Sequence, residues 1–135
     1  MAGEQLLLRI LDDFAKRVQL KDTKKSSHTV NELRENLKRS WSDSPGVYYF
    51  TQDSDVVYVG SAIGWRALGN RIWDYTRKKS EEWVSILEDP NTSVNIVAFE
   101  NCDWYWPVSL EALLIAKLKP PLNRAGKHLD KWCDE

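Results

Sequence analysis

The chain has 135 residues, 42% hydrophobic and 29% charged, which suits one globular domain and excludes a collagenous, low-complexity or wholly disordered chain. Nineteen basic and 20 acidic residues leave a net charge of −1, so bulk charge gives no argument for a nucleic-acid partner. Seven tryptophans are the one compositional oddity.

Residues 4–20 read as an amphipathic helix, with Leu7, Leu11, Phe14 and Val18 at helical spacing. Lys21 to Ser27 is polar and reads as a connection. Thr29-Val-Asn-Glu32 is a capping-box pattern; it opens a second helix, striped by Val30, Leu33 and Leu37, that is expected to end near Trp41 before Ser42-Asp-Ser-Pro-Gly46. Val47–Thr51 and Val56–Val59 are β-branched and aromatic, and predict a hairpin with the four-residue loop Gln-Asp-Ser-Asp. A helix follows over about 66–78, carrying Leu68, Ile72 and Tyr75 on one face. A shorter one, capped at Ser80, holds Trp83, Ile86 and Leu87. Ser93–Phe99 reads as a third strand. Pro107 suits the first turn of a last helix, which Lys119-Pro-Pro stops. The order predicts an α+β fold: a small three-stranded antiparallel sheet flanked by helices, with two N-terminal helices.

Cys102 and Cys133 are too few and too far apart for a disulfide framework or a zinc site, so a reducing, cytoplasmic setting is expected. No secretory signal and no membrane span is expected, since no apolar run nears about 18 residues. His28 and His128 have no partners in the sequence.

Several positions stand out together. Gly46-Val-Tyr48 opens the first strand and Tyr58-Val-Gly60 closes the second; Arg71 and Tyr75 lie one helical turn apart; Glu111 sits within an apolar helix, and Asn123 follows twelve residues on, after Pro120-Pro121. Taken singly, the tyrosines are ordinary strand residues, Arg71 a solvated helix residue and Glu111 a helix-dipole acid. Jointly, the blocks SPGVYYF, VVYVGSA, LGNRIWDY and LEALLIAKLKPPLN resemble the GIY-YIG nuclease family over Ser44–Asn123. The resemblance implies a metal-dependent phosphodiester hydrolase, an endonuclease acting on DNA or RNA with a single Mg²⁺ or Mn²⁺. It implies Tyr48, Tyr58, Arg71, Tyr75, Glu111 and Asn123 as the catalytic set, with Glu111 holding the metal. It also implies residues 43–128 as the nuclease domain, 1–42 as a helical extension and 129–135 as a tail. Two departures stand out. Ser61 occupies a position where many repair-type members have lysine, and the longer Ala62–Leu68 segment leaves Arg66 as a rival to Arg71.

These residue types suit the reaction. Mg²⁺ keeps most of its waters and needs few protein ligands, so one carboxylate can hold it. Arginine forks onto phosphate oxygens and is always charged. Tyr48 would be a general base or would position the water; with a reference pKa of about 10 it would need nearby cations to act as a base. Tyr58 and Tyr75 can donate to phosphate, and Asn123 suits fixing the local backbone.

Charge is polarised along the chain: residues 61–80 carry 5 basic and 1 acidic residue, and 81–110 carry 0 and 6. Candidate nucleic-acid contacts are Arg77, Lys78 and Lys79, then Lys117, Lys119, Arg124 and Lys127, with Arg66 and Trp65 in the loop between. Trp104-Tyr-Trp106 reads as sealing the last helix onto the sheet. The expected partner is DNA, branched or flap structures included, in repair or restriction, with a protein partner or a homodimer through residues 1–42. Against this stand two other readings: a non-catalytic nucleic-acid binder keeping the fold, and a tryptophan-rich protein-interaction module.

Overall fold

The computed structural model describes residues 3–20, 23–36, 39–64, 67–100 and 104–127. Leu37, Trp65, Arg66, Cys102, His128 and Cys133 lie outside that description, as does Lys21 at the head of the expected connection. The elements run α1 (Glu4–Arg17), β1 (Thr23–Thr29), α2 (Val30–Glu35), β2 (Gly46–Gln52), β3 (Asp55–Ala62), α3 (Ala67–Tyr75), α4 (Glu81–Glu88), β4 (Thr92–Phe99) and α5 (Tyr105–Leu118). No helix among the described residues is long and apolar enough to cross a membrane.

The strands form one antiparallel sheet in the order β1-β4-β2-β3. It therefore has four strands rather than the expected three. The extra one, TKKSSHT, overlaps the expected polar connection Lys21 to Ser27 and carries no apolar alternation. What makes it a strand is pairing along its whole length with β4, from Thr23 opposite Phe99 to Thr29 opposite Ser93. Ser27 adds a 2.6 Å hydrogen bond to the amide oxygen of the buried Asn95.

The second helix is also shorter than its stripe suggests. Thr29 caps it, accepting from the Glu32 N–H at 3.1 Å, but Asn36 is extended (φ −150°, ψ 109°) and the helix ends at Glu35. Trp41 is buried nonetheless, reached by chain that has left the helix. The hairpin turn is tighter than expected. Gln52 pairs with Asp55, so only Asp53 and Ser54 turn, both at positive φ, as two-residue hairpins require.

Helices cover both faces of the sheet. On one face, Leu7, Leu11 and Phe14 of α1 and Leu110, Leu114 and Leu118 of α5 pack on Val47, Tyr49, Val59, Val97 and Phe99. Burying each of these large apolar side chains contributes about 1.5–3 kcal/mol. On the other, Val30 and Leu33 of α2, Leu68 and Ile72 of α3 and Trp83 of α4 pack on Tyr48, Phe50, Val94 and Ile96. Residues 4–35 thus contribute to the sheet and to both cores.

Candidate nuclease site on the edge of β3

Two glycines set the site. A Cβ on Gly46 would lie 2.2 Å from the Val97 carbonyl oxygen, so only glycine lets β2 approach β4 there. Gly60 faces Tyr48 across the β2–β3 pair, and a Cβ on it would lie 2.4 Å from the Tyr48 hydroxyl oxygen. The phenol is laid over Gly60 in a space that a side chain would fill.

A bulge does the rest. Phe50 pairs with Tyr58 but Thr51 pairs with Val56, leaving Val57 as the extra residue. Val57 and Tyr58 consequently turn to the same core, which aims Tyr58 at Tyr48, Tyr75 and Trp83. With Phe50 these form a five-ring cluster whose ring centres lie 4.9–6.5 Å apart where they touch.

Hydroxyl chemistry in the cluster is uneven. Tyr58 and Tyr75 share a 2.5 Å hydrogen bond between their hydroxyls. Tyr48 is 0% exposed, and its hydroxyl makes no well-formed hydrogen bond among the described residues; the Arg71 guanidinium is the polar group beside it. Burial, reinforced by Tyr58 and Tyr75, pushes the Tyr48 phenol far above its ordinary value; the nearby Arg71 pulls it down only in part. Burial and the bond to Tyr75 likewise raise Tyr58. Both phenols are neutral at pH 7.

Arg71 is the charge common to the group. Its guanidinium carbon lies 5.6 Å from the centre of the Tyr75 ring, one helical turn along α3. It also acts electrostatically on Tyr48, Tyr58 and Glu111.

Glu111 comes from the opposite face of the sheet. It is the seventh residue of α5, beyond the reach of a first-turn dipole effect. Burial pushes its carboxyl above the usual range, while the hydrogen bond from the Ser61 hydroxyl, 3.0 Å to Oε1, the Ser61 main-chain N–H and Arg71 pull it back. α5 packs on β3 from one face and α3 from the other, β3 being an edge strand. Along this edge lies an open cleft of about 640 Å³ whose walls include Tyr58, Tyr75, Lys78, Trp83, Glu111 and Asn123.

Asn123 works as its residue type suggested. It is buried, its oxygen accepts from the Val59 N–H at 2.9 Å, and its amide donates to the Val59 carbonyl at 2.8 Å. One residue earlier, the Leu122 N–H donates to the Val57 carbonyl at 3.0 Å. Val57, Val59 and Ser61, two residues apart, thus meet Leu122, Asn123 and Glu111 in turn. Ser61, noted in the sequence only as a departure, is the anchor of the carboxylate; its place two residues beyond Val59 was the available signal.

The structure brings Tyr48, Tyr58, Arg71, Tyr75, Glu111 and Asn123 together at one end of β3. Of the basic candidates, Lys78 and Arg124 line the cavity, whereas Arg77, Lys79, Lys117, Lys119 and Lys127 do not. Arg77 stacks on Trp73 instead, 3.3 Å from its ring centre. The aromatic triplet is a correction: Trp106 packs edge-on against Phe14 at 6.0 Å, but Trp104 and Tyr105 are 64% and 40% exposed, since the first turn of α5 projects past the sheet.

No family model and no curated protein matches the chain. Solved structures do. The GIY-YIG N-terminal endonuclease domain of UvrC from Thermotoga maritima, bound to its catalytic divalent cation, magnesium, is 28% identical with a TM-score of 0.53; the match covers 69% of this chain and 97% of that one. Two variants of that domain bound to the cation, one with a tyrosine replaced by phenylalanine and one with an asparagine replaced by alanine, match at 26% identity and a TM-score of 0.52, over 70% of this chain and 97% of theirs. The chain has a GIY-YIG-like fold.

Proposed function

We propose that the protein is a metal-dependent endonuclease that hydrolyses nucleic-acid phosphodiesters, DNA first among them. One observation carries the reading. Tyr58 and Tyr75 from one side of β3 and Glu111 from the other line a single cleft, and the Arg71 guanidinium, on the Tyr75 ring, acts electrostatically on Tyr58, Glu111 and the buried Tyr48.

The donor set fits one Mg²⁺ or Mn²⁺. Among the described residues that line the cleft, Glu111 is the one carboxylate. Mg²⁺ suits such a site, taking its remaining ligands from water and phosphate. Glu111 would hold it, oriented by Ser61 and half-withdrawn from water, where a cation offsets the cost of a buried charge. A divalent cation there supplies charge neutralisation on phosphate oxygens.

The chain's own residues do the rest. Arg71 grips the scissile phosphate and stabilises its developing charge. Tyr48, neutral at pH 7 and fully buried, is not a preformed phenolate and acts from beside Arg71. Tyr58 and Tyr75, held to each other, present one O–H to phosphate. Asn123 holds β3 and does not touch substrate. In this proposal residues 43–128 carry the nuclease residues, 1–42 are an extension that completes the sheet and both cores and leaves a surface for a partner or a second copy, and 129–135 are a tail.

The test is cleavage of plasmid and branched DNA with and without Mg²⁺ by wild type, Glu111→Ala and Tyr48→Phe. Metal-dependent cutting by the wild type, reduced at least about 10²-fold in each variant, is expected. Equal behaviour of all three on every substrate overturns the catalytic reading. A second reading, a binder that keeps the fold without cutting, draws on Tyr48 being fully buried. Salt-dependent DNA affinity without metal-dependent cleavage would favour it.

A further inference from the structure

The three consecutive cations after α3 have different surroundings. Arg77 turns onto Trp73 and donates to the Arg34 carbonyl at 3.4 Å, on the far side of the helix from Arg71. Lys79 is exposed and outside the cleft. Lys78 is half-buried, with its ammonium nitrogen 4.5 Å from the centre of the Tyr75 ring and 5.7 Å from that of Trp83.

The turn that carries Lys78 is fixed. Thr76 is buried and its hydroxyl donates to the Ile72 carbonyl at 2.9 Å, while Arg34 Nε donates to the Thr76 carbonyl at 2.9 Å. The Lys78 N–H closes the turn on the Tyr75 carbonyl at 3.4 Å. Two rings therefore hold a lysine whose position is set before any ligand arrives. Among the described residues it has no carboxylate within 4.0 Å. Arg124, the other cation of the cleft, has Glu82 at 4.0 Å.

Lys78 and Arg71 flank the same ring. One cationic atom is 4.5 Å and the other 5.6 Å from its centre, so they stand at most 10.1 Å apart. Glu111 enters the cleft from α5, on the other side. A strand laid through it meets Lys78 just past α3 on one wall, with Arg71 on the neighbouring Tyr75 ring, and Glu111 on the α5 wall.

We propose that Lys78 is a phosphate anchor of this cleft, taking a backbone phosphate of the bound strand beside the phosphate held at Arg71. The inference rests on the reading that the cleft binds nucleic acid. It assigns substrate affinity to Lys78 and chemistry to its neighbours. Loss of Lys78 should therefore raise KM and leave kcat nearly unchanged.

The experiment measures binding of a short fluorescent DNA, as duplex and as single strand, in EDTA over a range of KCl concentrations. The proteins are wild type, Lys78→Met, Lys78→Arg and, as a control of equal charge change, Arg9→Met on the exposed face of α1. Lys78→Met should weaken binding about tenfold. It should also flatten the salt slope by about 0.9 on duplex or about 0.7 on single strand, which tells the two substrates apart. Lys78→Arg and Arg9→Met should keep the wild-type slope. An unchanged slope in Lys78→Met, with wild type binding normally, overturns this proposal and leaves the nuclease reading standing. A flattened slope in Lys78→Arg overturns it too, by showing that packing rather than charge was lost. Absence of salt-dependent binding by the wild type overturns both readings.

Discussion

At one margin of the sheet, β1 runs with Lys24, Lys25 and His28 along it, and its ion pairs to Glu100 (3.0 Å) and Asp12 (3.6 Å) are in water. At the other, the main chain of β3 is covered in succession by Leu122, Asn123 and Glu111. Each margin also has its own buried asparagine. Asn95 binds Ser27, the Tyr49 carbonyl (3.3 Å) and the Thr51 hydroxyl (3.2 Å), tying three strands together. Asn123 spends both its bonds on Val59. The difference lies in what covers each edge. The β1 margin is shielded by solvated charge, a common way of blunting an edge. The β3 margin is closed by the residues that form the candidate site.

The sharpest way to break this contrast is Glu111→Gln. Metal-dependent cleavage should fall about 10³-fold, the loss of several kcal/mol of charge stabilisation. Stability should move the other way. Burial raises the Glu111 carboxyl in the folded state, so the fold holds its proton more tightly than the unfolded chain. That favours folding at low pH and costs stability as pH rises past the ordinary carboxylate range. Thermal melts of wild type and Glu111→Gln at pH 4 and pH 7 check this: the variant should gain on the wild type as pH rises.

Asn123→Ala comes next. It strands a buried N–H and carbonyl of Val59 and should cost about 2–3 kcal/mol. Denaturant unfolding gives the total, and faster amide exchange at Val59 locates the damage. Gly60→Ala should cost about 1–3 kcal/mol by overpacking Tyr48. A double-mutant cycle with Tyr48→Phe should show coupling between the two sites. Ser27→Ala, at the other margin, should cost only about 1 kcal/mol and leave cleavage unchanged. A cleavage defect there would mean that the two margins are not independent.

How much of this was legible in the residues follows physical lines. The hairpin, α3, α4, β4 and α5 declared themselves because their apolar spacing matches their own periods. The set Tyr48, Tyr58, Arg71, Tyr75 and Glu111 was legible through the resemblance that its four sequence blocks carry, each residue alone reading as ordinary. β1 was not, because TKKSSHT owes its form to a partner strand about 70 residues away. The early end of α2 was hidden too, since a helical stripe does not report where the backbone leaves the helix. The bulge at Val57 leaves no mark in a run of valines, yet it aims Tyr58. Lys78 differs from its neighbours only in which way the turn after α3 points it. Trp104 and Tyr105 show the reverse error, aromatic character being taken for burial.

The Tyr48 ring lies where a methyl group on residue 60 would be. These two positions are therefore one inherited unit. A lineage that keeps the phenol at 48 is destabilised by any side chain at 60, and a lineage that shrinks the ring frees 60 to drift. Among descendants of this chain, a side chain at 60 would be the visible scar of a lost tyrosine at 48.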